Sequence, residues 1–246
     1  MSAPARSSKV IENSAHPTAN ASDLLRLEAR LPPLLSVIAG MVDLTGFFTL
    51  GHIFTAHVTG NLVVAAAAAV HRGPFNVAQA LAIPVFMLAL ALVWLIAQAS
   101  RRRGPELARL LLLVQFLLLS AVLIFSIITR PSADTQGLIA GVAAMIAVSA
   151  MACQYALLRL AIPGAISTAV MTGNLTNTVL ALMDLMSRGR PLMPVDGDRL
   201  KRSLQLLFGF LFGCVAAACA VFVVEDWAWL LPVLLSALAI GFCTAG

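Results

Sequence analysis

Asp43 lies about ten residues into an apolar run that extends from Pro33 to Leu50. A carboxylate at that depth in hydrocarbon is costly and points to function, provided a partner can be named. A second chemical signal follows directly. The stretch Leu50-Gly-His-Ile-Phe-Thr-Ala-His-Val-Thr-Gly-Asn-Leu62 recurs without a gap as Pro163-Gly-Ala-Ile-Ser-Thr-Ala-Val-Met-Thr-Gly-Asn-Leu175. Gly51, Ile53, Thr55, Ala56, Thr59, Gly60, Asn61 and Leu62 are matched by Gly164, Ile166, Thr168, Ala169, Thr172, Gly173, Asn174 and Leu175. Apolar matches arise easily in such a chain; Gly, Thr, Thr, Gly and Asn in register do not. The pattern reads as an internal duplication.

Thr-Gly-Asn entering an apolar helix has a physical logic. Thr59 or Asn61, like Thr172 or Asn174, can cap exposed amides at a helix start. Gly60 and Gly173 allow a turn that a side chain would block. Within a bilayer such non-helical backbone survives only when buried in protein or lining a wet cavity. Two such breaks facing each other would make a narrow polar constriction, with amide donors at the half-helix starts. The plainer reading is a packing break, in which Gly and Thr permit close helix contact and Asn bonds between helices.

The register between the copies also suggests a partner for Asp43. An offset of 113 sets Ala156 opposite Asp43, and Arg159 lies one helical turn further on, so an Asp43–Arg159 pair is expected if the two spans cross about a pseudo-two-fold. The alternatives are a merely structural ion pair or an Arg159 that snorkels to the surface. The candidate substrate-binding set is therefore Asp43, Thr59, Gly60, Asn61, Arg159, Thr172, Gly173 and Asn174. Asp184 is expected to pair at the interface with Arg188. His52 and His57 flank the first copy, but Ala165 and Val170 take their places in the second, which disfavours a symmetric metal site; a proton-relay role for His57 stays open. There is no phosphate loop, nucleophile elbow, catalytic carboxylate pair or metal-ligand spacing. No metal, no cofactor and no enzymatic activity are expected.

The elements that must position these residues follow from composition. Of 246 residues, 60% are hydrophobic and 11% charged, and the mean hydropathy is +0.95. A soluble globular chain carries about 25% charged residues, so this one cannot cover a water-exposed surface. Apolar runs reach the roughly 20 residues that cross a bilayer, and strand alternation is missing. The fold class is all-α, a polytopic membrane helix bundle whose solvent is the lipid bilayer. The net charge of +5 resides mostly in short connections, as membrane topology requires, and implies no nucleic acid. Cys153, Cys214, Cys219 and Cys243 lie in apolar runs and read as inert buried thiols.

Residues 1–31 read as a disordered tail ending in a short amphipathic stretch, and 32–246 as one transmembrane domain with halves at about 33–130 and 136–244. Full spans are expected at 33–50, 77–99, 107–129, 137–160, 203–224 and 227–244. The pieces 58–71 and 171–187 are short. If they complete no crossing, six spans place the N-terminal arginines, Arg101–Arg103 and the 188–202 connection inside and Glu225-Asp226 outside, with both termini cytoplasmic and the halves inverted. Eight crossings would instead leave the arginine cluster outside. Inverted repeats with broken helices at mid-membrane are a recurring transporter design.

Ala39-Gly-Met-Val-Asp43 with Gly46-Phe47, Leu50-Gly51, His57-Val-Thr-Gly-Asn61, Gln154, Arg159 and Val170-Met-Thr-Gly-Asn-Leu-Thr176 together resemble the YoaK-like family of bacterial membrane proteins, a domain of unknown function. The resemblance covers about residues 33–240. Val58 stands where that family often has Met, and Tyr155 where an Asn often follows the Gln. It implies a bacterial inner-membrane protein and supplies no substrate. The function expected from the residues is a channel or secondary transporter for a small solute. The alternative is a non-transporting assembly or sensing partner, with a membrane-embedded enzyme third. Self-association into a homo-oligomer is compatible with either.

Overall fold

The computed structural model describes residues 18–70, 76–168, 171–186 and 197–243. Eight α-helices account for nearly all of them: α1 (Thr18–Thr49), α2 (Gly60–Val70), α3 (Val77–Ser100), α4 (Gly104–Thr129), α5 (Leu138–Leu160), α6 (Met171–Met186), α7 (Gly197–Val224) and α8 (Leu230–Phe242). Short 3-10 turns at Pro131–Ala133 and Glu225–Trp229 complete the chain. The described residues contain no strand.

Helix limits follow local chemistry. Asn76 starts α3 by accepting a hydrogen bond from the Ala78 amide at 3.0 Å, an N-cap. Gly104-Pro105 opens α4, where a missing amide proton costs nothing. Arg130 closes α4 in the left-handed region (φ 46°) just before Pro131, which cannot continue a helix. The helix over 18–49 differs from the expected tail and amphipathic stretch. From residue 18 onward the chain is already helical, and it passes through Pro32 and Pro33 without a break. The tail expectation for 1–17 lies outside the described residues.

Among the described residues five apolar stretches are long enough to cross a membrane: Leu24–Thr49, Val77–Ser100, Gly104–Thr129, Leu138–Leu160 and Leu200–Phe242, the last folded at the Glu225–Trp229 turn. Their outward positions are large and apolar, for example Leu88, Leu95, Leu117, Ile124, Phe212 and Phe222. Such a surface is stable only against hydrocarbon, so this is a membrane protein.

Small residues make the tightest contact. A Cβ on Gly40 would collide with the Phe210 carbonyl, and one on Gly213 with the Val37 carbonyl. Ser36 Oγ donates to the Leu206 carbonyl at 2.6 Å. Helices α1 and α7 therefore run parallel with their backbones almost touching, along Ser36-x3-Gly40 on one and Gly209-x3-Gly213 on the other. In lipid, where tails compete equally for apolar groups, this van der Waals contact is what joins helices. A buried amide chain adds direction: Gln115 Nε2 donates to Gln154 Oε1 at 2.9 Å and Gln154 Nε2 to the Leu35 carbonyl at 3.0 Å, joining α4, α5 and α1.

The two ends of the bundle differ in charge. At one end Arg202 pairs with Glu28 at 3.1 Å, Gly164 abuts Glu28, and Gly104 abuts Leu24. Arg26, Arg30, Arg101–Arg103 and Lys201 belong to these same helix ends. At the other end Asn76 Nδ2 donates to the Gly51 carbonyl, Ser132 to Asp226 and Trp229 Nε1 to Thr49. Gly51 and Asn76 thus share an end, and the chain between them leaves it and returns.

Candidate functional site

Leu50 closes α1 by donating its amide to the Gly46 carbonyl. Gly51 (φ 84°) and His52 (φ 58°) then reverse the chain in the left-handed region. A side chain at Gly51 would meet the Thr135 carbonyl and the Asn76 amide. The turn sends residues 53–59 back along α1 to the level of Asp43, about 9 Å from the helix end at 1.5 Å per residue.

There Asp43 receives them. Its Oδ1 accepts from the Thr55 amide at 2.7 Å, the Ala56 amide at 2.6 Å and Thr55 Oγ1 at 3.2 Å. The His57 amide is 3.3 Å from Oδ2, and His57 Nδ1 is 2.5 Å from the same oxygen. Asp43 and Thr55 are buried, whereas the His57 side chain is 30% exposed. With Oδ1 committed to amide donors, Nδ1 carries the proton toward Oδ2, and the imidazole presents Nε2 outward. The carboxylate thus satisfies amides that have no helical partner, and the imidazole balances its charge.

Two further side chains fix the loop. Asn61 donates to the Phe54 carbonyl at 2.7 Å and accepts from the Phe54 amide at 2.8 Å. Tyr155 on α5 donates its hydroxyl to the Ala56 carbonyl at 2.9 Å. Beside the pair opens a recess of about 350 Å³, lined by Asp43 and His57 together with Phe47, Phe54, Phe210 and Cys214. Phe210 meets the His57 ring edge-on at 5.0 Å.

The second copy repeats the frame without the charge. Asn174 Nδ2 donates to the Ser167 carbonyl at 3.0 Å, the same step of seven residues as Asn61 to Phe54. Thr59 and Thr172 are both exposed, Gly60 and Gly173 half-buried, and Asn61 and Asn174 buried. Ala156 occupies the register position of Asp43, and Thr168 Oγ1 is buried with no hydrogen-bond partner among the described residues. This segment docks at the opposite end of α1, where Gly164 meets Glu28 and Ile166 lies beside Pro32 and Arg202.

Several expectations need correction. Asp43 does not pair with Arg159. His57 is its partner, and Arg159 is exposed in the last turn of α5. The short chain reversal at Gly51 brings His57 to the carboxylate before any distant helix is needed. The asparagines bond back to the loop instead of capping forward, and the positive φ falls at Gly51 rather than Gly60. A Cβ on Gly60 would meet the Phe54 ring at 3.0 Å, so that glycine serves close approach. The two segments lie at different levels of α1, and no hydrogen bond joins them among the described residues. Of the four thiols only Cys153 is buried, and Cys219 is exposed. The Asp184–Arg188 pairing lies outside the described residues. Sequence reasoning missed Tyr155, Phe210 and the role of Thr55. His57 was visible only as one of two histidines, with His52, that follow the carboxylate in sequence, and the spacing did not single it out.

A chain of apolar helices carrying one buried carboxylate–imidazole pair is a polytopic membrane protein with a polar site inside the bundle. It belongs to the family described as "Protein of unknown function (DUF1275)", which matches residues 31–242. It is similar to the UPF0700 transmembrane protein YoaK of Bacillus subtilis (strain 168), with 55% identity over 31 residues; these cover 13% of this chain and 14% of that relative. No solved structure matches.

Proposed function

We propose that the protein is a carrier or channel for a small solute in a bacterial inner membrane, with the Asp43–His57 pair as its gate or binding group. The observation that carries this reading is a buried carboxylate within α1, held by the amides of a broken segment, with a recess that both it and its histidine line. Intramembrane ionisable groups facing a cavity mark substrate or proton paths. The reading includes six full spans, counting Leu200–Phe242 as two, plus α2 and α6 as broken helices that return to their own side. At 11 and 16 residues these reach roughly 16 and 24 Å, short of about 30 Å of hydrocarbon. The pairing of α1 with α7 and of α5 with α3 supports two inverted, duplicated halves. The basic end is cytoplasmic by charge bias, with both termini there. The protein is not an enzyme, needs no cofactor, binds no nucleic acid, and acts alone or as a homo-oligomer.

A second reading has its own observation. Asn61 and Asn174 spend their side chains closing their own loops, as they would in an assembly or sensing partner with no transport path. Uptake by proteoliposomes, screened over small metabolites, tests the choice. Saturable uptake lost in Asp43→Asn supports the carrier. Equal uptake by the well-folded variant and the wild type overturns the role given to this pair. Cysteine labelling in intact cells tests the topology, and outside labelling at position 104 would overturn six spans.

A further inference from the structure

The recess over His57 is built for a different kind of molecule from a hydrated solute. Its lining includes Phe47, Phe54 and Phe210, and exposed neighbours on the same helices, Phe48 and Leu211, are large and apolar. These positions face lipid, so entry is from the bilayer. Phe47 and Phe54 lie with ring centres 5.2 Å apart at 37°, and Phe210 stands edge-on to the imidazole. Ring walls of this kind favour a flat aromatic guest. The volume of about 350 Å³ falls at the small end of ligand sites, roughly 300–1,000 Å³, which suits one or two fused rings.

The polar requirement comes from the floor. His57 Nδ1 is taken by Asp43, and Nε2 has no partner among the described residues. The Thr55 and Ala56 amides and the Thr55 hydroxyl all donate to Asp43 Oδ1, an arrangement that favours the carboxylate, and an imidazolium at His57 balances that charge inside the bundle. Nε2 then carries a proton and donates. A guest carboxylate would restore a net charge, and an amine would oppose the donor. A neutral acceptor, such as a ring ketone or aryl carbonyl, meets both conditions.

We propose that the recess between α1, α7 and the 53–59 loop binds a lipid-soluble aromatic carbonyl compound, which enters from the bilayer and accepts a hydrogen bond from His57 Nε2. This rests on the reading of the Asp43–His57 site given above and names its ligand class.

The test uses full-length protein in nanodiscs and two probes of one shape, 2-acetylnaphthalene and 2-ethylnaphthalene. The ketone should bind the wild type about tenfold more tightly than the hydrocarbon. His57→Asn places an amide where Nδ1 stands, keeping the Asp43 contact while removing Nε2, and should bind both probes equally. The ¹⁵N resonance of His57 Nε2 in the wild type, which requires no variant, should shift with the ketone and not with the hydrocarbon. Equal affinities in the wild type, an unmoved resonance, or a preference that survives His57→Asn would each overturn the inference. Uptake separates this from the carrier reading. If the ketone binds as stated but no solute is carried, only the carrier reading falls. If a polar solute is carried and the ketone is not preferred, only this inference falls.

Discussion

The two Thr-Gly-Asn segments have nearly the same sequence and the same asparagine-to-carbonyl bond seven residues back, yet only the first holds a charge. Around Asp43 the loop amides, Thr55 and His57 converge on one carboxylate. In the second copy Ala156, at the register position of Asp43, offers no carboxylate, and Thr168 Oγ1 has no partner among the described residues. The asparagine is therefore the architectural part, able to hold a broken helix by local bonds alone. The carboxylate, histidine and Tyr155 are an addition to one copy, and they give it a polar floor. A site grafted on one of two similar frames is what chemistry on an otherwise inert scaffold requires.

Asp43→Ala should break the comparison most severely. It strands the Thr55 and Ala56 amides and the imidazole, a loss of about 3–5 kcal/mol for one side of a buried pair, measured by unfolding in detergent. In double-mutant cycles Asp43→Asn should couple to His57→Ala and be additive with Arg159→Gln within about 0.5 kcal/mol. Coupling to Arg159 instead would restore the pairing that the geometry rejects.

A carboxylate in the second frame is the next test. Ala156→Asp places an acceptor at the register position of Asp43, whereas Ala147→Asp, also buried on α5, has no counterpart in that register. Ala156→Asp should be the milder by about 1–3 kcal/mol, the scale of a satisfied against an unsatisfied buried group. Equal losses would mean the frames are not equivalent.

Asn61→Ala and Asn174→Ala should each destabilise, by about 1–3 kcal/mol for stranding buried loop groups. A loss at one site alone, by the same unfolding measurement, would end the claim of a shared frame. The smallest effects are expected at the threonines. Thr55→Val removes a bond to Asp43 and should cost about 1 kcal/mol, while Thr168→Val removes an unpartnered hydroxyl and should be neutral or slightly stabilising. A clear loss at Thr168 would reveal a partner there.

Much of this was legible in the chain. Composition required a membrane bundle, because 11% charge cannot cover a globule in water. Apolar run lengths and Gly-Pro or Arg-Pro punctuation placed α3, α4 and α5 within a few residues. Thr-Gly-Asn marked both helix breaks. The tertiary structure alone decided which base meets Asp43. Sequence separation could not choose between His57, fourteen residues along a chain that turns at Gly51, and Arg159 on another helix. That choice depends on where the 53–59 loop lies against α1, and the left-handed pair at Gly51 and His52 sets it. The partner of Gly209-x3-Gly213 was equally hidden. A small-residue stripe shows that some helix comes close, but only packing selects the one whose own stripe, Ser36 and Gly40, lies at the matching height.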